Sequence, residues 1–191
     1  MNEGSAALLP SIVSRMARLD YPDLGTANQA VLTAAERIKD QRGGRLLNLF
    51  KMQLHNPDIA TAWLDLGSAV RFKSELDAPT RELAICLVAR ITGADYEWRA
   101  HRRIAVGEGF TEGALDAILE WRTSEAFDAR QRAVLGLADA LTRTVKVDDA
   151  TFSAVREALP ARQVVELVAT IAYYNMVSRF LVGLEIDLEA S

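Results

Sequence analysis

The chain has 191 residues, enough for one domain or one domain with an appended arm. Half of the residues are hydrophobic and a quarter are charged, so a real core is available and a disordered chain is excluded. A net charge of -4 argues against nucleic-acid binding, which needs a concentrated basic surface, and the single cysteine, Cys86, rules out an intrachain disulfide. The opening run MNEGSAALLP lacks the basic and long apolar regions of a signal peptide. The apolar stretches Leu83–Ala89 and Val164–Met176 read as too short or too interrupted to cross a bilayer. A cytoplasmic protein with no membrane partner is the expectation by elimination.

Strand signals are nearly absent and helix signals recur along the chain. Ala27–Arg42 is predicted as a helix ended by Gly43-Gly44, followed by a short apolar helix over Leu46–Leu54. Asn56-Pro57 opens a third helix, to Phe72, with proline in a favoured first-turn position. Asp77-Ala78-Pro79 opens the next, which is apolar nearly all round from Leu83 to Ile91 and so should be buried on every side. Thr92-Gly93 breaks it, and a helix follows from Ala94 to Glu108, with Gly109 as its stop. Further helices are predicted over Thr111–Glu120, Asp128–Thr144, Asp148–Ala158 and Pro160–Leu184. The first 45 residues are less apolar and read as a helical arm; residues 46–191 form the main helical domain.

Standard signatures are missing: no phosphate loop, no dinucleotide fingerprint, no CxxC and no nucleophile elbow. Two histidines, His55 and His101, cannot build a His-rich metal centre, and no metal is expected. Glu97 and His101 are four apart, on one face of one helix. A carboxylate beside an imidazole raises its pKa and fixes its tautomer, which poises a general acid/base. An exposed ion pair between the same residues would be structural and worth only about 0.2–0.5 kcal/mol. Folding the two central helices into a hairpin across Thr92-Gly93 would bring Glu82 near His101. Cys86, one turn after Glu82, is either a small core residue or a thiol nucleophile. Trp63, Tyr96, Trp98, Tyr173 and Tyr174 could line an apolar pocket. The basic cluster Arg99, Arg102 and Arg103 reads as a solvated or subunit-facing surface, with an anion site as the alternative.

The run from Pro79-Thr80-Arg81-Glu82-Leu83 through Thr92-Gly93-Ala94-Asp95-Tyr96-Glu97-Trp98 to His101 closely resembles the carboxymuconolactone decarboxylase family, best over residues 55–120. The resemblance implies the all-helical fold shared with alkylhydroperoxidase D proteins, assembly as a trimer or hexamer, and no cofactor. The peroxide-reducing branch uses a cysteine pair with a relay Glu and a distal His. Glu82 and His101 fall at those relay positions, while Ala94 and Glu97 occupy the cysteine positions. The resemblance therefore implies acid–base chemistry by Glu82, Glu97 and His101 on a small carboxylated or lactone-type substrate, as a decarboxylase, another lyase or an isomerase. It places Arg81 at a carboxylate-binding position and His55, Trp63, Tyr96 and Asn175 around the pocket. Two alternatives stay open: a peroxide-handling antioxidant using Cys86, and a non-catalytic helical oligomer that binds a ligand.

Overall fold

The chain's capping residues set its helix starts. Asn28, Asn56, Asp77, Thr111, Asp128 and Asp148 each accept a hydrogen bond from a backbone N–H in the first turn that follows. The computed structural model describes residues 17–189, and among these no strand forms. The helices are α1 (Gln29–Gln41), α2 (Asn48–Gln53), α3 (Pro57–Phe72), α4 (Ala78–Thr92) and α5 (Asp95–Gly107). After them come α6 (Glu112–Asp116), a 3-10 turn (Ile118–Glu120), α7 (Ala129–Arg143), α8 (Asp149–Ala158) and α9 (Ala161–Gly183). The expected Thr111–Glu120 helix thus divides at Ala117 into a short α-helix and a 3-10 turn.

Helix α4 is the axis of the molecule. Leu83 to Ala89 are all buried, and the helix packs against α5, α7 and α9. The stretch from Leu83 to Ala89 is apolar on every side and requires this, because none of its faces gains by meeting water. Asp77 caps it, its Oδ1 accepting from the Thr80 N–H at 2.9 Å. Gly93, at φ 68°, ends it in the left-handed region, where a side chain would be strained. The chain then reverses directly into α5.

A smaller apolar cluster holds α1 to α2 and α3 through Ala35, Ile38, Phe50, Leu54, Ala60 and Leu64. Of the expected N-terminal arm, residues 1–16 lie outside the described residues. Ala17 and Arg18 run along the end of the chain, where the Arg18 N–H donates to the Leu184 carbonyl at 2.9 Å.

Helix α9 changes one expectation. The apolar run read as Val164–Met176 belongs to a 23-residue helix, long and apolar enough by length and composition to cross a bilayer. In the fold, 56% of its most apolar window is buried within the protein.

Leu87 lies on α4 with no exposed surface. Leu87→Ala should lower the unfolding free energy by about 2–5 kcal/mol, read as a shifted urea midpoint with an unchanged slope.

Candidate active site

The α4–α5 hairpin joins groups that are 19 residues apart in sequence. Glu82, in the second turn of α4, is fully buried, and its Oε2 lies 2.5 Å from His101 Nδ1. On the other edge of the ring, His101 Nε2 lies 3.1 Å from Glu97 Oε2. His101 and Glu97 are 4% and 5% exposed, so this is not the solvent-washed surface pair that the spacing alone allowed. The imidazole stands edge-on to Tyr174, with ring centroids 4.9 Å apart.

The charges of this cluster depend on one another. Burial alone would strip the proton from His101, but hydrogen bonds to Glu82 and Glu97 outweigh it and raise the pKa to about 9. Burial would also neutralise Glu82, yet the His101 hydrogen bond and the charges of His101, Arg71 and Arg81 hold its carboxyl below the usual range. At neutral pH the ring is an imidazolium that donates to Glu82, with Glu97 Oε2 3.1 Å from its other nitrogen.

Of the other residues singled out in the sequence, Arg81 is at the site: its Nε donates to Glu82 Oε1 at 3.4 Å and its Nη1 to the Leu76 carbonyl at 3.4 Å. It is thereby turned towards Glu82 and its own helix start. Trp63 joins the aromatic wall, edge-on to Tyr173 and Phe180 at 6.4 and 5.2 Å, and Tyr173 continues the wall to Tyr174 at 5.2 Å. Gly67 makes room for this wall, because a Cβ there would collide with the Tyr173 hydroxyl.

Three expected pocket residues are not brought to the triad. His55 is exposed, and its Nε2 donates to the Asp20 carbonyl at 2.9 Å, tying down the N-terminal segment. Asn175 is turned to α7: its amide donates to Thr142 Oγ1 at 2.9 Å and to the Ile171 carbonyl at 3.0 Å, and its oxygen accepts from Arg179. Tyr96 directs its hydroxyl to Glu189, a quarter-turn around α5 from Glu97. Cys86 has no exposed surface, and burial with the nearby Glu82 charge pushes its thiol far above the ordinary range. Such a thiol is not a ready nucleophile.

Sequence reasoning missed Arg71. It sits in the last turn of α3, its charge reaches both Glu82 and Tyr174, and its Nε is buried without a partner among the described residues. A lone arginine between Val70 and Phe72 carries no motif, and only the tertiary fold brings it to the triad.

The larger cavities do not open on the triad. One of about 580 Å³ lies between the start of α5 and the residues after α9, and another of about 360 Å³ lies along the Tyr96 face of α5. Among the described residues, no group of three or more His, Cys, Asp or Glu is arranged to hold a metal ion.

This helical arrangement recurs in solved structures. An uncharacterized peroxidase-related protein from Silicibacter sp. TM1040 matches at a TM-score of 0.76 and 20% identity, over 91% of this chain and 92% of that one. An uncharacterized peroxidase-related protein with an alkylhydroperoxidase AhpD core, from Ralstonia eutropha JMP134, matches at 0.76 and 20%, over 92% and 93%. The debrominase Bmp8 in complex with 2,3,4-tribromopyrrole matches at 0.72 and 20%, over 89% and 90%. The fold is therefore that of the AhpD-like helical proteins, and at these identities the likeness is one of fold. Residues 57–140, which hold the whole triad, match the model of the carboxymuconolactone decarboxylase family. No curated protein matches the chain.

The linked charges predict a pH window for stability. His101 has its pKa raised from 6.5 to about 9, so its contribution is full below pH 6.5 and is lost as pH rises through 9. Glu82 has its pKa lowered from 4.5, so its contribution is present above pH 4.5 and is lost as pH falls through the lower value. The melting temperature should fall between pH 7 and 10 more steeply in the native protein than in His101→Gln. Parallel curves for the two proteins would remove His101 as the source.

Proposed function

We propose that this protein is an acid–base enzyme that needs no cofactor, a carboxy-lyase or isomerase acting on a small carboxylated or lactone-type molecule. The observation that carries the reading is the buried chain Glu82–His101–Glu97, in which a protonated imidazole lies between two carboxylates. The match of residues 57–140 to the carboxymuconolactone decarboxylase family model supports the same class of chemistry.

The chemistry asks little of the protein beyond placement. In a β-keto or conjugated acid, the bond to the carboxylate carbon breaks, its electron pair moves onto the adjoining carbonyl as an enolate, and CO₂ leaves. The enolate is then quenched by a proton at carbon. His101 holds that proton at neutral pH, and Glu82 fixes the ring through Nδ1. In this reading the proton leaves along the Nε2 side and passes through Glu97 to the substrate carbon. Water returns one proton per turnover. An isomerase would use the same pair to take a proton from one carbon and return it at another.

Arg71 suits the substrate's carboxylate better than Arg81, because Arg81 already donates to Glu82 while the Arg71 Nε has no partner among the described residues. Trp63 and Tyr173 supply the apolar wall. A small-molecule partner follows from this reading, and the family resemblance supports a homo-oligomer, a trimer or hexamer. The inaccessible Cys86 thiol weighs against peroxide reduction by that residue.

Lactones, β-keto acids and conjugated acids should be assayed for CO₂ release or a change in absorbance. On the substrate found, His101→Gln and Glu97→Gln should each lower turnover by about 100-fold or more while circular dichroism stays native. Native turnover in either variant would sink the proposal, and native turnover in Cys86→Ala is expected.

A further inference from the structure

The arginine cluster of α5 divides in two. Arg102 turns to α6, pairing with Glu112 at 2.5 Å and Asp116 at 2.8 Å. Arg99 and Arg103, one turn apart, instead line the cavity of about 360 Å³, together with Arg45 from the loop between α1 and α2. Arg45 is delivered there by the Gly43-Gly44 turn, at φ 64° and 81°.

Among the described residues, no carboxylate pairs with Arg45, Arg99 or Arg103. The acidic wall residue, Glu189, is already engaged: it accepts from the Tyr96 hydroxyl and from the Asn48 N–H, the latter at 2.7 Å. Both bonds fall on Oε1, and three guanidinium groups therefore share a single carboxylate in the wall. The rest of the lining is largely apolar, with Leu47, Leu188 and the Tyr96 ring. Planar guanidinium forks match carboxylate and phosphate oxygens, and an apolar wall beside them suits a hydrocarbon body.

We propose that this cavity binds a small organic anion, its carboxylate or phosphate head held by Arg45, Arg99 and Arg103 and its apolar body lying on Leu47, Tyr96 and Leu188. It lies around α5 from the Glu97 and His101 side chains, so the proposal stands whether or not the triad is catalytic. It also gives the exposed basic residues of α5 a use that the acid–base chemistry does not.

Calorimetric titration of the full chain tests it with four probes: decanoate, decyl phosphate, uncharged decanamide and inorganic phosphate. At least one of the first two should bind saturably and about tenfold more tightly than both decanamide and inorganic phosphate, and the tighter of them identifies the head group. Arg99→Ala combined with Arg103→Ala should weaken that binding about tenfold or more with an unchanged melting temperature, and Arg45→Ala should weaken it less. Equal binding of decanamide or of phosphate alone would overturn the proposal, as would no saturable binding up to about 1 mM. Sedimentation of the double variant closes the test: a changed assembly size alongside lost binding would make these arginines a contact between copies and overturn the site.

Discussion

Glu82 places a negative charge at the buried end of the apolar Leu83–Ala89 stretch of α4, and the arrangement of the neighbouring helices answers to that charge. Removing a carboxylate from water costs several kcal/mol, which only a close opposite charge and good hydrogen bonds offset. His101 supplies both from α5, and Arg81 and Arg71 add charge from α4 and α3. The requirement fixes the register of the α4–α5 hairpin, because shifting α5 by one residue would turn the imidazole away and leave Glu82 alone. Gly93 lets the hairpin close tightly enough for the pair to meet.

Glu97 then gives the pair a direction. With one carboxylate on each ring nitrogen, the imidazole is a bridge with a deep end at Glu82 and an outer end at Glu97. An apolar residue at 97 would leave Nε2 without this acceptor. A thiol there would make the same bridge serve sulfur chemistry, which is the use the resemblance gives to that position in the peroxide-reducing branch. That branch needs a cysteine pair, so the resemblance separates the two uses at residues 94 and 97 together, where this chain has Ala94 and Glu97.

The helices were legible in the sequence because their boundaries are written in local chemistry. Asp77, Asp128 and Asp148 cap, and Pro57 and Pro79 sit in first turns, where proline's missing N–H costs nothing. The meeting of Glu82 with His101 was legible too, since an all-apolar helix joined by a glycine to an amphipathic one has few ways to fold back. The outer shell of the site was not. Arg71 reaches the triad through the packing of α3 on α9, a long-range contact with no local signal. His55 and Asn175 are polar residues near aromatic ones in sequence, but their hydrogen bonds go to Asp20 and to Thr142, partners that no spacing rule pairs with them. Tyr96 is adjacent to Glu97 in the chain, and the helical rotation of about 100° per residue carries it to another face.

The missing side chain at Gly67 acts at a distance from where it sits. It lets the Tyr173 hydroxyl lie against α3, while the next residue, Tyr174, stands against the His101 ring. Two consecutive aromatic rings on α9 therefore work as a latch and a gauge. The first locks the rotation of the long helix against α3, and the second sets how much room the imidazole has. Any added bulk at position 67 would be transmitted along α9 as a small rotation, and the Glu82–His101–Glu97 cluster would register it without losing a single one of its own residues.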